Sequence, residues 1–243
     1  MKTTILIIGI LVLSLNQIWS QSARNSQIPL IGSEAPAFKA QSTNGDINFP
    51  KDFGKSWKIL FAHPKDFTPV CSSEILELAH QQEDYKALNT KVVVVSTDVI
   101  DSHNSWKAAL EEVEFKGKKP VEIHFPLVED HTYSIARSYG MIDTQANAGQ
   151  SVRGVFFIDP ENKVRAFSFY PNEVGRNSEE IKRTLIALQT NYSNPKVVLP
   201  SNWQPGEDVM LPHMDEYDQA ETKKSNSKIY QKAWFMTYMK TGR

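Results

Sequence analysis

The chain has 243 residues, 40% of them hydrophobic, enough for one large domain or one domain with an appendage. Lys and Arg number 27 against 28 Asp and Glu, and the formal net charge of -1 gives no bulk attraction to nucleic acid or an anionic membrane. A single cysteine, Cys71, excludes an internal disulfide, and no cluster with metal-ligand spacing or Gly-rich phosphate loop is present in the sequence.

Residues 1–20 have the layout of a secretory signal: Lys2, an apolar run from Ile5 to Leu15, then polar Asn16 and Gln17. The run is about eleven residues, short of the roughly twenty that span a bilayer. Ser20 before Gln21 is the expected cleavage point. Export to the periplasm or outside the cell is the expectation, with no stable membrane insertion after processing; an uncleaved, membrane-tethering N-terminal helix is the competing reading. Residues 21–35 read as a polar leader into the folded part.

Trp57–Ala62 has the length and composition of a buried strand. His63 to Pro69 must be a loop, because Pro64 and Pro69 exclude both a helix interior and a central strand. From Val70 the period becomes helical, with Ile75, Leu78, Ala79, Tyr85 and Leu88 near one face; Thr68 suits the N-cap and Pro69 the first helical position. Lys91–Thr97 carries four consecutive valines and reads as a strand buried on both faces.

A helix is expected from Ser105 to Glu114, a short strand over His124–Val128, and a helix from Thr132 to Tyr139 closed by Gly140. Arg153–Asp159 and Val164–Phe169 read as strands joined by the turn Pro160 to Lys163. The last helix is expected over Asn177–Thr190, capped by Ser178, with Ile181, Leu185 and Leu188 on one side. This order implies an α/β fold with a mixed sheet flanked by helices, compatible with a thioredoxin-like architecture over residues 28–190. Residues 191–243 read as a smaller C-terminal extension and tail, in which Tyr230, Trp234, Phe235 and Tyr238 sit at helical spacing and suit packing or a subunit contact.

An unpaired cysteine in an exported chain asks for a chemical explanation, although isolated cysteines are often only small buried hydrophobes. Cys71 falls in the first turn of its helix, where unsatisfied N–H groups and the positive end of the helix dipole favour a thiolate. Ionisation alone is a limited source of rate: an ordinary thiol is already a few per cent ionised at neutral pH, so full ionisation gains about thirtyfold at most. A fast reaction of such a thiolate needs further groups that stabilise the charge developing on the departing atom.

The stretch His63-Pro64-Lys65-Asp66-Phe67-Thr68-Pro69-Val70-Cys71 resembles the active-site signature of peroxiredoxins, Pro-x-x-x-Thr-x-x-Cys. Ser151 to Asp159 resembles the family's arginine-bearing strand; Tyr170-Pro171, Gly175-Arg176-Asn177, Asn202-Trp203 and Val209 to Pro212 extend the similarity toward the one-cysteine, peroxiredoxin six group over about residues 28–220. The resemblance implies a thiol-specific peroxidase that reduces hydrogen peroxide and organic hydroperoxides without a cofactor. It makes Cys71 the attacking cysteine, with Arg153 holding the thiolate and developing charge, and Thr68 hydrogen-bonding the sulfur or the peroxide. Pro64 would shield the pocket, Arg176 would be a second arginine near the site, and Glu74 would be a carboxylate orienting the arginines. It also implies a homodimer.

With no second cysteine to resolve it, the oxidised sulfur would need an external thiol or redoxin. His63 matches the family position before the proline, but no acid–base role follows for it. A phospholipase site found in some relatives is not expected, because Gly54-Lys55-Ser56-Trp57-Lys58 lacks the last glycine and Pro50 replaces the histidine base. A cysteine hydrolase lacks a recognisable histidine signature among the six histidines. The alternative readings are a peroxide sensor and a non-catalytic thioredoxin-like binding module.

Overall fold

The computed structural model describes residues 28–142, 151–212 and 228–242; the N-terminal signal reading lies outside them. Two short strands, β1 (Phe38–Ala40) and β2 (Ile47–Phe49), pair as an antiparallel hairpin. They are followed by β3 (Trp57–Ala62), helix α1 (Pro69–Ala87), β4 (Thr90–Ser96), α2 (Ile100–Leu110), β5 (Leu127–Glu129) and α3 (Ser134–Ser138). Then come β6 (Arg153–Ile158), β7 (Val164–Tyr170), α4 (Ser178–Ser193), β8 (Val209–Met210), β9 (Ile229–Ala233) and β10 (Met236–Met239).

The central sheet has the order β5-β4-β3-β6-β7, parallel on the β5 side of β3 and antiparallel on the β6 side. This is the mixed α/β, thioredoxin-like sheet expected from the element order. β3 and β4 are apolar throughout their centres because both faces are covered. In register, Ile59 with Val92 and Phe61 with Val94 face a core shared with Ile75, Leu78 and Tyr85 of α1, Trp106 of α2 and Leu185 of α4. Leu60 with Val93 and Ala62 with Val95 face the other side, under Phe49 of β2 and Ile135 and Ala136 of α3. The end of β3 is extended by one further ladder bond, His63 N–H to the Val95 carbonyl at 3.0 Å, which fixes where the cysteine loop leaves the sheet.

Several local expectations are corrected. The second helix begins earlier, at Ile100 rather than Ser105. Asn177, not Ser178, caps α4, its side chain accepting from the Glu180 N–H. The segment before β1 is not all leader: Gly32 N–H donates to Val164 O and Val164 N–H to Ser33 O, laying residues 32–35 along the start of β7. The aromatic run near the C-terminus is a β-hairpin and not a helix, with Tyr230 opposite Tyr238 and Trp234-Phe235 at the turn. That hairpin joins β8 in a three-stranded sheet, order β8-β10-β9. Between it and α4 a small separate core forms around Val197, Trp203 and Val209.

Candidate active site

Cys71 is the third residue of α1 and is fully buried. The helix starts here because Thr68 is extended (φ -103°, ψ 146°) and Pro69 supplies a preset helical φ at a position that needs no N–H. Thr68 is the N-cap by position, but its hydroxyl donates to the Lys65 carbonyl at 2.9 Å and makes no cap bond. That bond closes the turn ahead of the cysteine and leaves the oxygen lone pairs as acceptors. Phe67, within the turn, takes a positive φ of 55°, a conformation that costs a non-glycine residue energy and occurs where surrounding structure enforces it.

The sulfur meets one guanidinium directly. Arg153, first residue of β6, places Nη1 at 3.2 Å from Cys71 Sγ and at 2.8 Å from Glu74 Oε2. Nε and Nη2 both donate to the Asn172 carbonyl, at 3.1 and 2.6 Å. Glu74 lies one helical turn after Cys71, so α1 presents thiol and carboxylate on the same side.

Arg176 does not touch the sulfur. Its backbone N–H and Nε donate to Glu74 Oε1 at 2.8 and 2.9 Å, Nη2 donates to Oε2 at 2.9 Å, and Nη1 donates to the Gly154 carbonyl at 2.6 Å. The guanidinium also lies 3.3 Å from the Phe61 ring centroid. Burial pulls Arg176 below its ordinary value, opposed by Glu74. Burial pushes the Glu74 carboxyl up, but the hydrogen bonds and charge of Arg176, with Arg153, outweigh it and the net shift is downward. The loop carrying Arg176 reaches α1 through Gly175, where a Cβ would stand 3.2 Å from Val70 Cγ1.

Charge counting explains why this cluster favours an anion. Two arginines and one carboxylate leave one positive charge in a buried space, which a thiolate cancels and a neutral thiol does not.

Beneath the cysteine loop lies a second polar cluster that sequence reasoning missed. Asp66 Oδ2 accepts from Ser102 Oγ and faces His103 Nδ1, both at 2.8 Å, while His103 Nε2 faces the Val128 carbonyl at 3.1 Å. The Asp66 N–H donates to Asp98 Oδ2 at 2.8 Å. These contacts tie the loop to the start of α2. His63 is fully buried with no hydrogen bond at either ring nitrogen, its Nε2 lying 3.6 Å from Asp66 Oδ1 and its ring 4.9 Å from that of Trp106. Burial lowers its pKa to about 3, partly opposed by Asp66, so the ring is neutral at physiological pH. Pro64 is buried beside it. Asp66 sits inside the recognised motif and its type was readable; His103 and Ser102 carry no local signal.

All six residues singled out from sequence are thus placed at one end of the sheet, with Cys71, Arg153, Glu74 and Arg176 joined by direct contacts. A cavity of about 550 Å³ lined by Gln82, Tyr85, Lys91 and His124 contains none of them. Among the described residues no group of three or more His, Cys, Asp or Glu could hold a metal ion.

A helix-terminal thiol delivered by a thioredoxin-like sheet to a buried arginine defines a thiol-based oxidoreductase. Residues 31–167 match the AhpC/TSA family, and residues 187–225 match the C-terminal domain of 1-Cys peroxiredoxin. The chain is 48% identical over 186 residues to a peroxiredoxin of Methanosarcina mazei, covering 76% of this chain and 84% of that one. It is 38% identical over 199 residues to the mitochondrial peroxiredoxin PRX1 of Saccharomyces cerevisiae, covering 79% and 74%.

Among solved structures, a yeast mitochondrial 1-Cys peroxiredoxin, described for thiol resolution via glutathione/thioredoxin systems, superposes with a TM-score of 0.77 at 35% identity, covering 88% of this chain and all of that one. A cysteine-to-serine mutant of peroxiredoxin 6 from Arenicola marina gives 0.77 at 29% identity, covering 88% and 99%. The chain belongs to the AhpC/TSA family of peroxiredoxins. It is a thiol-dependent peroxidase of the one-cysteine kind.

Proposed function

We propose that this peroxidase reduces hydrogen peroxide and organic hydroperoxides through a one-cysteine cycle centred on Cys71. The Cys71 thiolate attacks one oxygen of ROOH; an S–O bond forms, the O–O bond breaks, and RO⁻ takes a proton to leave as water or an alcohol, with Cys71 left as the sulfenic acid. An external thiol then condenses with the sulfenic acid, releasing water and forming a mixed disulfide, and a second thiol restores Cys71 and leaves as the oxidised disulfide. The observation that carries this reading is the Arg153 Nη1 to Cys71 Sγ contact of 3.2 Å at a helix start.

In this cycle Arg153 stabilises both the thiolate and the charge on the departing oxygen. Glu74 and Arg176 are positioning residues: Glu74 holds Arg153 Nη1 beside the sulfur, and Arg176 satisfies both oxygens of Glu74, leaving the carboxylate less free to repel the thiolate. The Thr68 oxygen accepts from the bound peroxide, and buried Pro64 keeps bulk water from the sulfur. Because Cys71 is fully buried, entry of peroxide and of the reducing thiol requires a local opening around the sulfur.

The family match and the lone cysteine support a small thiol or a redoxin as reductant, the kind of donor described for the yeast neighbour. The cycle is tested by supplying hydrogen peroxide with glutathione or a thioredoxin system. Many peroxides consumed per chain is the expected result, and consumption that stops at about one per chain with every donor supports a sensor instead. The domain reading over 28–190 with an extension over 191–243, export through residues 1–20, and a homodimer complete the proposal. The mass of the protein recovered from the exported fraction tests processing, and light scattering tests the dimer.

A further inference from the structure

The cycle consumes a proton that the groups beside the sulfur do not supply. The oxide leaving ROOH takes up H⁺ in a buried site, yet Arg153 is a guanidinium that stays protonated, and the Glu74 carboxyl is held below its ordinary value by Arg176 and so is ionised. The Thr68 hydroxyl already donates to the Lys65 carbonyl. The buried cluster at Asp66, which the cycle leaves unused, does hold a proton.

Hydrogen-bond counting places it. His103 Nε2 faces the Val128 carbonyl at 3.1 Å, and a carbonyl only accepts, so Nε2 carries a hydrogen. His103 Nδ1 faces Asp66 Oδ2 at 2.8 Å, a contact between two acceptors unless a proton lies between them. The pair is therefore an imidazolium with a carboxylate or a neutral ring with a carboxylic acid, and both forms contain the same extra proton. Ser102 Oγ donates to Asp66 Oδ2 and the Asp66 N–H donates to Asp98 Oδ2, both at 2.8 Å, which fixes the pair in place.

His63 stands between this pair and the turn that carries the sulfur. Its Nε2 lies 3.6 Å from Asp66 Oδ1, and neither of these atoms, nor His63 Nδ1, has a hydrogen-bond partner. An approach of about half an ångström makes the contact a hydrogen bond. On its other side the ring lies 4.9 Å from that of Trp106, whose indole N–H reaches Ser72 Oγ at 3.3 Å, beside Cys71, and the charges of Arg176 and Glu74 act on it. Two unpartnered nitrogens on a buried imidazole cost stability, and they are what a two-sided proton carrier requires.

We infer that the Asp66–His103 pair is the proton store of this peroxidase and that His63 carries its proton to the departing oxygen. As the O–O bond breaks, His63 Nδ1 gives its hydrogen to RO⁻ while Nε2 takes one from Asp66; ROH leaves, and Asp66 is left a carboxylate beside a neutral His103. The store refills within the turnover: the sulfenic acid and two thiols yield water, a disulfide, the Cys71 thiolate and one H⁺, which returns by the reverse path and restores the His63 tautomer. Asp66 and His103 are thus positioning residues that act through His63.

Leaving groups separate this from a role in shape alone. Hydrogen peroxide expels hydroxide, which needs a proton, whereas peracetic acid expels acetate, a weak base that does not. Asp66→Asn keeps the shape, and its amide can donate to His103 Nδ1, but it stores no proton; His103→Gln removes the store from the other side. Oxidation of Cys71 by each reagent is followed by stopped-flow at neutral pH. In both variants the rate loss with hydrogen peroxide is expected to be at least about tenfold greater than the loss with peracetic acid, the scale of general acid catalysis. The parent chain gives the same test without a substitution: in deuterium oxide its rate should fall further with hydrogen peroxide than with peracetic acid. Equal losses with the two oxidants, in the variants or in deuterium oxide, or no loss with either, overturn the inference. It rests on the Cys71 cycle, which the peracetic acid arm tests by itself: no oxidation of Cys71 in the parent chain sinks the cycle, whereas fast oxidation there with equal losses in the variants sinks only the proton store.

Discussion

Arg153 Nη1 donates at once to Cys71 Sγ, at 3.2 Å, and to Glu74, at 2.8 Å, so one guanidinium nitrogen couples the reactive sulfur to the buried charge pair behind it. The sulfur's chemistry and the stability of the fold therefore share a single set of contacts, and substitutions in that set separate the two.

Arg153→Met removes the donor at the sulfur. Measured by stopped-flow at a pH where the variant's cysteine is fully ionised, oxidation by hydrogen peroxide should slow by about 10²–10³, the usual cost of losing one preorganised donor to developing charge. A loss within tenfold under those conditions would mean that Arg153 acts on ionisation alone.

Glu74→Gln keeps the shape of the side chain and removes the counter-charge of two buried arginines. Breaking such a pair from one side costs about 3–5 kcal/mol, because the partner charge stays buried. Urea unfolding of the variant should show that loss at neutral pH, and an unchanged midpoint would refute the counter-ion role. The parent chain should also lose the Glu74 contribution in acid: a carboxylate whose native pKa is lowered stabilises above its unfolded value and loses that effect as pH falls through the native one.

His63 gives a separate acid signature. Its native pKa is lowered to about 3 from an ordinary 6.5, so between those values the unfolded chain binds a proton that the folded chain refuses. Stability is thus full above pH 6.5 and falls as pH drops, by about 2 kcal/mol from pH 7 to pH 5 for a shift of this size. His63→Asn should remove that part of the slope in urea unfolding at the two pH values. The lowered pKa of His80 acts in the same direction and is present in both chains, so it cancels in the comparison. Equal slopes would show that His63 is not held neutral.

Much of this arrangement is readable in sequence where the cause is local. The valine run of β4 announces a strand covered on both faces, and Thr68-Pro69 announces a helix start that puts Cys71 in the first turn. Peroxiredoxin spacing adds Arg153, Arg176 and Glu74, whose contacts join positions 79 to 102 residues apart. What was not readable depends on packing between distant segments. The Asn172 carbonyl that grips Arg153 is a backbone group, and His103 meets Asp66 only because α2 folds over the cysteine loop. The C-terminal hairpin was misread because Tyr230, Trp234 and Tyr238 are four apart, a spacing that fits a helix face, whereas the chain reverses at Trp234-Phe235 and pairs Tyr230 with Tyr238 across two strands. Its turn, Trp234-Phe235, carries none of the glycine or asparagine that marks a hairpin.

Cys71→Ser should keep the fold, since the change is small and leaves the Arg153 bonds to Glu74 and Asn172 in place. Peroxide consumption with any thiol donor should fall to the uncatalysed background, and circular dichroism should match the parent. Retained turnover would place the chemistry elsewhere.

The most direct measurement is trapping of the first intermediate. Reduced, folded protein is mixed with one equivalent of hydrogen peroxide at neutral pH in the presence of dimedone, and the modified residue is located by peptide mass spectrometry. Rapid, near-stoichiometric labelling at Cys71 is expected, lost in Arg153→Met on the same timescale. A cysteine that stays a reduced thiol in folded protein after the oxidant has been added would contradict it.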